Sequence, residues 1–445
     1  MNNLKFIKLL ALSIISFSCA TNNDDYIQAP LQTDLKNKID AIYGSKKTLI
    51  LPDSDSYASI PKDAKNSITD AKVELGKFLF HETLIGKDSN KEEGMGTYSC
   101  ASCHHTSAGF QSGLLQGIGD GGIGFGDHGE ARVKSPNYLE ADLDVQPIKT
   151  PSILNTAYQS VMLWNGQLGA TGFNRGTEDQ WVDGTPAAKN NLGFGGLETQ
   201  AIAALGLHRL MIDNSLIENT TYKALFDAAF PNIAEQDRCT TINAGLAIAA
   251  YERTVLSNEA PFQKWLKGDE FAMSDAELKG AILFFDKGQC YNCHSGPGLN
   301  GMDFYALAVN DLQGDNVMTV IDEATKKGRG SFTKNTDDDY KFKVPQLYNL
   351  KDVNFYGHGG SFTSVKEIIS YKNKAIPENS EVPSNKISPL FKPLNLTEEE
   401  VDLITVFVED ALYDPNLIRY QPTSLPSGNC MINADPQSSL DMGCN

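Results

Sequence analysis

The chain has 445 residues, 41% of them apolar, and a formal net charge of −18 at pH 7. This length is enough for two domains, each with its own hydrophobic core. The acidic balance argues against nucleic acid as a partner, because binding phosphates requires a basic surface. An acidic net charge also keeps a protein soluble, so we infer no binding partner from the charge alone.

The N-terminus has the composition of a short export signal. Lys5 and Lys8 precede an apolar run over residues 9–17, which is too short to span a bilayer as a stable helix. Cys19 stands where a bacterial lipoprotein is cleaved and acylated. We therefore predict a signal peptide over residues 1–18, a lipid anchor on Cys19, and a tether and lead-in over residues 19–66; ordinary cleavage further along the chain is the alternative. The expected location is the periplasm or the outer membrane, with the lipid as the only membrane attachment.

Two segments, residues 100–104 and 290–294, read Cys-x-x-Cys-His. This spacing is typical of covalent c-type haem attachment, because two thiols about one helical turn apart bond the haem vinyl groups while the next histidine ligates the iron. One such motif alone is compatible with half a zinc site or a redox dithiol. A shared four-cysteine zinc site would leave both histidines unexplained. We therefore predict two covalently bound haems, held by Cys100, Cys103, His104, Cys290, Cys293 and His294.

The segment before each motif repeats. Residues 74–80 read Glu-Leu-Gly-Lys-Phe-Leu-Phe and residues 277–284 read Glu-Leu-Lys-Gly-Ala-Ile-Leu-Phe. The second copy opens with a capping box, Ser274 and Glu277, ahead of apolar residues at helical spacing. Further helices are predicted over residues 198–211, 241–256 and 397–412. Strand-like alternation is sparse, so the predicted fold is mainly α.

Composition also indicates the boundaries between these parts. Residues 117–129 and 166–196 are rich in Gly and Asn and are predicted to be loops that cover the iron, with disordered insertions as the alternative. A break near residues 258–262 divides a haem domain over residues 67–260 from another over 261–422. The remaining tail, residues 423–445, is predicted to be closed by a disulfide between Cys430 and Cys444.

Several more motifs accompany the two pentads in a fixed order. They are residues 75–80, 99–104, 150–155, 163–166, 197–201, 290–297, 344–349 and 356–360. Together they resemble the bacterial di-haem cytochrome c peroxidase family, whose relatives include the di-haem enzyme that matures methylamine dehydrogenase. The resemblance implies two cytochrome c-like haem domains with long irregular loops. It also implies that hydrogen peroxide is reduced at the N-terminal haem and that the C-terminal haem takes electrons from a small cytochrome c or cupredoxin.

Peroxide reduction needs an acid–base group beside an open iron. A peroxide on ferric iron must lose one proton and return it to the departing oxygen, which a carboxylate in a largely apolar pocket can do. By resemblance this catalytic group is Glu198. The alternative is a structural carboxylate at a helix start, where it interacts favourably with the helix dipole.

This sequence departs from the family pattern near the first haem. The family's capping histidine lies in a Gly-His-Gly-like loop, and the corresponding residues 119–121 here read Gly-Asp-Gly. Asp120 is a poor ligand for haem iron, so the first haem is expected to be open unless His128 or His105 caps it. A glutamine that often precedes the Leu-Trp pair is replaced by Met162. One distal hydrogen-bonding group is therefore absent by this comparison.

Further departures concern the region between the haems and the second haem. The asparagine that ligates the family's calcium is here Lys149, whose ammonium cannot ligate calcium, so we expect no calcium. The sixth ligand of the second haem is methionine in the peroxidases and tyrosine in the maturation branch. Here that place falls at Tyr371 or Lys372, with Met302 and Met318 as alternatives.

Two further aromatic residues, Trp164 and His358, lie within these motifs. His358 is expected to form hydrogen bonds between the domains rather than to ligate iron. Trp164 is expected to pack near the first haem, with electron relay as the alternative.

The leading prediction is an exported di-haem peroxidase that reduces hydrogen peroxide to water with electrons from a small redox protein. A maturation-type oxidase acting on a protein or a small organic substrate is the first alternative, and Tyr371 as a ligand would favour it. A non-catalytic electron-transfer cytochrome c is the second alternative. Family peroxidases are often dimers, so a homodimer is compatible with the sequence, although no motif defines an interface.

Overall fold

The computed structural model describes residues 23–314, 317–319 and 321–444, and most of its regular structure is helical. The helices are α1 (Asn23–Tyr43), α2 (Asp70–His81), α3 (Gly196–Leu207), α4 (Asn214–Glu218), α5 (Thr220–Ala229), α6 (Thr241–Thr254), α7 (Pro261–Lys267), α8 (Asp275–Phe284), α9 (Glu323–Lys326), α10 (Arg329–Thr333), α11 (Val365–Lys374), α12 (Glu398–Val406) and α13 (Pro436–Asp441). The strands are β1 (Gly122–Ile123), β2 (Val133–Lys134), β3 (Phe304–Tyr305) and β4 (Phe342–Lys343). They pair antiparallel as β1–β2 and β3–β4. The predicted mainly α character is confirmed.

Helices α2, α3 and α6 pack together around the first of two large hydrophobic cores. The crossing of α2 over α6 depends on Gly76, because a Cβ at this position would lie 1.9 Å from the carbonyl oxygen of Ala247. Glycine is therefore the residue that this close approach of two backbones requires. Leu75 and Leu79, on either side of Gly76, are fully buried in the core. The crossing fixes the helix that leads to the first Cys-x-x-Cys-His motif.

Helices α8 and α12 repeat this arrangement in the second half of the chain. A Cβ at Gly280 of α8 would lie 2.0 Å from the carbonyl oxygen of Leu403 on α12. The predicted capping box is present, since the Ser274 backbone N–H donates to Glu277 Oε2 at 2.6 Å and the Glu277 N–H donates to Ser274 Oγ at 3.3 Å. The repeat in the sequence thus corresponds to two glycine-dependent helix crossings, each ahead of one motif.

The two ends of the chain pack on the opposite halves. Helix α1 contacts α8, and its Leu35 and Ile39 are buried in the second core. Tyr420 and Ile432, near the C-terminus, are buried in the first core. The segment predicted as a tether and lead-in therefore contains a packed helix, whereas Cys19 and the signal peptide lie outside the described residues. The division into five segments stays a prediction.

Two helix ends differ from the sequence prediction. Helix α3 ends at Leu207 rather than at residue 211, because Arg209 adopts a left-handed backbone with φ +57° and breaks the helix. The segment predicted as one helix over residues 397–412 starts as α12 and changes to a π-helical turn, Phe407–Ala411. None of the described helices has the length and apolar character needed to cross a membrane.

The C-terminal tail is closed by a disulfide between Cys430 and Cys444, whose Cα atoms lie 5.7 Å apart. The tail is also fastened to the first motif. The hydroxyls of Ser99 and Ser102 donate to the carbonyl oxygen of Ile432 at 2.8 and 3.1 Å. A loop closed by the disulfide therefore supports the backbone on both sides of Cys100.

Replacing both tail cysteines by serine is expected to lower the free energy of unfolding by about 3 kcal/mol. The disulfide closes a loop with a sequence separation of 14, and in the chain-entropy model a loop of this size restricts the unfolded chain by about that amount. Urea unfolding of the haem-loaded protein measures the change, with Cys239→Ser as the matched control because Cys239 is a free thiol. An unchanged unfolding midpoint in the double variant would contradict the expectation.

Candidate haem-binding site

Both Cys-x-x-Cys-His motifs border one cavity of about 540 Å³. The first three residues of each motif form a short 3₁₀ helix, Cys100–Ser102 or Cys290–Asn292, and both thiols of each motif border the cavity. All four motif cysteines are free thiols in the structure. Four unpaired thiols on the wall of one cavity fit the covalent attachment of two haems.

The two motif histidines are oriented by backbone carbonyl groups. His104 Nδ1 lies 3.3 Å from the carbonyl oxygen of Phe110, and His294 Nδ1 lies 3.1 Å from that of Leu299 and 3.1 Å from that of Pro345. With the proton on Nδ1, each ring keeps the Nε2 lone pair for a metal. Burial lowers the pKa of both histidines to about 4, so both are neutral at pH 7. The residues present therefore fit axial ligation of haem iron by His104 and His294.

Glu198, the predicted acid–base residue, lies at the start of α3 and is fully buried. Its carboxylate accepts two hydrogen bonds from Arg253, from Nε at 2.8 Å and from Nη2 at 2.6 Å. Asn66 Nδ2 donates to it as well, at 3.3 Å. Glu198 is not among the residues that border the cavity. Its catalytic role stays a prediction, and this geometry favours the structural alternative.

A different acid–base pair borders the cavity near the first motif. His208, directly after α3, places Nδ1 at 2.9 and 3.1 Å from the two carboxylate oxygens of Asp144. Burial lowers the pKa of His208, but the charge of Asp144 and its hydrogen bond outweigh burial and leave the pKa above its usual range. The ring keeps 35% of its surface exposed because it borders the cavity. Nε2 accepts no hydrogen bond from the described residues and remains able to exchange a proton.

The Gly-Asp-Gly loop, residues 119–121, positions this pair instead of supplying an iron ligand. A Cβ at Gly119 would lie 2.3 Å from Asp144 Oδ2, so a side chain there would displace the carboxylate. Asp120 is fully buried and accepts a hydrogen bond from Arg209 Nη1 at 2.6 Å, which holds the turn after His208. Asp120 does not border the cavity.

Neither histidine proposed as a cap borders the cavity. His105 packs edge-on against Phe125, with ring centroids 5.0 Å apart. His128 is exposed and its Nδ1 lies 2.7 Å from the carbonyl oxygen of Ser107. Among the described residues, these placements agree with a first haem that has no cap from either side chain.

Two further polar side chains that the sequence analysis missed border the cavity. Gln200 Oε1 and Glu252 Oε2 are buried and have no hydrogen-bond partner among the described residues. Burial and the charge of Glu198 raise the pKa of Glu252 to about 8, so its carboxyl group is largely protonated at pH 7. Met162, where the family often has glutamine, also borders the cavity. Gln200 lies in the motif at residues 197–201, and no local motif marks Glu252, which the folding of α6 brings to the cavity wall.

Lys149 connects the parts of the cavity wall that lie between the motifs. Its Nζ donates to Gln111 Oε1 at 2.6 Å, and burial lowers its pKa to about 7. Its carbonyl oxygen accepts from Trp164 Nε1 at 2.8 Å, and its backbone N–H donates to the carbonyl of His358 at 2.9 Å. The rings of Trp164 and His358 meet edge to face with centroids 6.3 Å apart. A lysine thus stands at the position where the family resemblance would require a calcium ligand.

Chelation of calcium is expected to leave this protein unchanged. Lys149 is 3% exposed and its amine donates a hydrogen bond to Gln111 Oε1, so a divalent cation would have to displace a buried amine to reach this oxygen. Haem absorption spectra and unfolding midpoints recorded before and after treatment with a calcium chelator measure this. A spectral change that added calcium reverses would contradict it.

The structure separates the two residues predicted as the second haem's sixth ligand. The Tyr371 hydroxyl donates to the carbonyl oxygens of Leu307 and Ala308 at 2.6 and 3.0 Å, and its ring is buried in the second core. Lys372 borders the cavity with the second motif. Neither Met302 nor Met318 borders it. Lys372 is therefore the member of this set that faces the haem site.

Residues 70–271 match the family model described as di-haem cytochrome c peroxidase. The match covers the first motif and the helices α2, α3 and α6 around it. This match confirms the family resemblance predicted from the motifs.

Individual relatives include both branches of this family. The chain is 29% identical over 386 residues to the cytochrome-c peroxidase IdrP1 of Denitromonas iodatirespirans, covering 82% of this chain and 87% of that protein. It is 26% identical over 365 residues to the methylamine utilization protein MauG of Methylorubrum extorquens, covering 81% and 83%. Among solved structures, a MauG-like protein associated with microbial copper homeostasis aligns with a TM-score of 0.55 at 22% identity, over 83% of this chain and 96% of that one. The structural match supports the fold, and the sequence matches leave the choice between the branches open.

Proposed function

We propose that this protein is a di-haem peroxidase that reduces hydrogen peroxide to water with electrons from a small redox protein. The observation that carries the proposal is the pair formed by His208 and Asp144 on the wall of the cavity that His104 also borders. An acid–base pair beside a haem ligand, with no capping histidine from position 105 or 128, is what peroxide reduction requires. Cys100, Cys103, Cys290 and Cys293 would hold the two haems covalently.

A haem bound at the first motif supplies the iron at which peroxide is reduced. The chain's own groups handle the protons. His208 Nε2 takes a proton from the incoming peroxide and returns it to the departing oxygen, while the Asp144 carboxylate stabilises the imidazolium that forms between these two steps. The overall reaction consumes one peroxide, two electrons and two protons and yields two waters.

The electrons come from a small cytochrome c or cupredoxin and enter through the second haem, which His294 would ligate. Trp164 and His358, whose ring centroids lie 6.3 Å apart, both border the cavity that contains the two motifs. Export to the periplasm, the lipid anchor on Cys19 and a homodimer belong to the same proposal. Cys19 and the signal peptide lie outside the described residues.

One observation favours the maturation-type oxidase as a second candidate function. Lys372 rather than a methionine borders the cavity at the second motif. A nitrogen ligand lowers a haem's reduction potential relative to a thioether, which suits storage of oxidising equivalents better than uptake of electrons from a high-potential donor. In that case a protein or a small organic molecule supplies the electrons.

The test is peroxide-dependent oxidation of a reduced small cytochrome c, and in parallel of a reduced cupredoxin, by the haem-loaded protein. Multiple turnovers with either donor would support the peroxidase. Peroxide consumption without oxidation of either donor would contradict the peroxidase and favour the maturation-type oxidase. No reaction with peroxide in protein that carries both haems would overturn both enzyme proposals and leave an electron-transfer cytochrome.

A further inference from the structure

Among the residues that the structure describes, four lysine side chains border the cavity that contains the two motifs. Three of them have polar partners: Lys149 with Gln111 at 2.6 Å, Lys326 with Glu381 at 2.8 Å, and Lys343 with the carbonyl oxygen of Val161 at 3.1 Å. Lys372 differs, because its Nζ forms no hydrogen bond or ion pair with any described residue. Its neighbour is the ring of Phe391, whose centroid is 5.4 Å away. The amine of Lys372 is thus left without a counter-charge.

Helix α11 directs this amine into the cavity. Val365, Ile368, Ile369 and Lys372 border the cavity and lie at the i, i+3, i+4 and i+7 spacing of one helix face. The other members of this face are apolar, so the helix offers Lys372 no polar partner. Tyr371, on the neighbouring face, has its hydroxyl bonded to backbone carbonyls as described above.

An unpaired ammonium in such surroundings is costly, because burial of a charge without a partner is unfavourable. A deprotonated amine is a nitrogen donor for a metal. The second motif lies on the same cavity, and His294 offers its Nε2 there.

We propose that the Lys372 amine would be a second protein ligand, besides His294, for the iron of a haem held at the second motif. The inference rests on haem attachment at the second motif, which is part of the proposed function, and not on peroxide turnover. It accounts for a lysine without a partner on an otherwise apolar helix face. It also assigns the second haem two nitrogen ligands, which lowers its reduction potential relative to a histidine–methionine pair.

Electron paramagnetic resonance of the ferric protein, with isotope-labelled lysine, tests the ligand directly. We expect a lysine nitrogen coupled to the low-spin iron of the second haem in the otherwise unaltered chain. The absence of such coupling in protein that carries both haems would overturn the proposal. This measurement needs no variant and therefore does not depend on how a substitution folds.

Lys372→Met provides an independent test. The thioether replaces the amine, so we expect the weak far-red absorption band of methionine-ligated ferric haem and a higher reduction potential for one of the two haems. Lys374→Met is the matched control, because Lys374 is exposed on the same helix and is expected to leave spectrum and potential unchanged. If Lys372→Met keeps the spectrum and potential of the wild type, Lys372 is not the ligand.

These outcomes are separate from those of the peroxidase test. Haem content by pyridine haemochrome analysis shows whether the second haem is attached, and its absence would overturn both proposals. With both haems present, lysine coupling without peroxide turnover would support Lys372 as the ligand while the peroxidase proposal fails. Turnover without lysine coupling would give the opposite result.

Discussion

Replacing His208 by glutamine is expected to lower kcat/KM for hydrogen peroxide by about 10²- to 10⁴-fold, the usual contribution of a positioned acid–base group. Glutamine keeps a polar side chain of similar size beside Asp144 but cannot accept and return a proton at neutral pH. Steady-state oxidation of a reduced cytochrome c by the haem-loaded variant measures the loss. Haem content is measured in the same preparation so that a missing cofactor is not mistaken for a missing base.

Two further variants provide a control and a test of the alternative acid–base residue. His128→Gln is the matched control, because His128 is exposed and does not border the cavity, and it is expected to keep wild-type activity. Glu198→Gln distinguishes the two candidate groups. Retained turnover in His208→Gln, together with lost turnover in folded Glu198→Gln, would contradict the assignment and return the acid–base role to Glu198.

The pH dependence gives a signature that a purely structural role for His208 would not produce. The imidazole accepts a proton only when it is neutral, so kcat/KM should fall as the pH drops through the pKa of His208. Asp144 holds this pKa above its usual range, near 6.5 for an unperturbed histidine, so the acidic limb should lie above that value. Asp144→Asn removes the charge and is expected to move the limb to lower pH. An acidic limb that stays in place in Asp144→Asn would show that another group titrates.

The haem motifs and the repeat were predictable because their information is local. Two thiols and a histidine within five residues define the attachment chemistry, and Gly76 and Gly280 occur in the same short context before each motif. Helix α8 was marked in the same way by its capping box, Ser274 and Glu277. In each of these cases the residues that decide the structure are close together in the chain.

The acid–base pair had no such local signal. Asp144 and His208 are separated by 64 positions, and the loop at residues 119–121 packs against Asp144 while the chain turns at Arg209, next to His208. Glu198 was predicted to be the acid–base residue because it lies in a family motif at the start of a helix. Its bidentate partner, Arg253, comes from α6 and could not be identified before the fold was known.

Tyr371 and Lys372 are adjacent in the sequence, yet their side chains face different parts of the structure. Adjacent residues on an α-helix point in directions about 100° apart. The motif placed the ligand at Tyr371 or Lys372, and only the packing of α11 decides that Tyr371 faces the core and Lys372 faces the cavity. Sequence comparison defined the helix, whereas the rotation of the helix came from the structure.

Glu198→Gln is expected to lower the free energy of unfolding by about 3–5 kcal/mol, the usual result of removing one partner from a buried ion pair. The Glu198 side chain is fully buried and that of Arg253 is 6% exposed, so glutamine would leave the guanidinium charged and uncompensated in the interior. Urea unfolding of the haem-loaded protein measures the change. Asp410→Asn is the control, because the Lys351–Asp410 pair at 2.8 Å is about half exposed and should contribute less than about 1 kcal/mol.

The double variant Glu198→Met with Arg253→Met distinguishes the effect of an unpaired buried charge on stability from the effect of lost packing. When a buried pair is replaced by apolar side chains of similar volume, no unpaired charge remains, and stability is often restored. We therefore expect the double variant to be more stable than Glu198→Gln, although the carbonyl of Pro61 loses the hydrogen bond that it accepts from Arg253 Nη1 at 2.9 Å. If the double variant is less stable than the single one, the pair stabilises the fold through its hydrogen bonds rather than by balancing a charge. If Glu198→Gln unfolds like the wild type, the buried pair is not structural, and the carboxylate is again available as a candidate for catalysis.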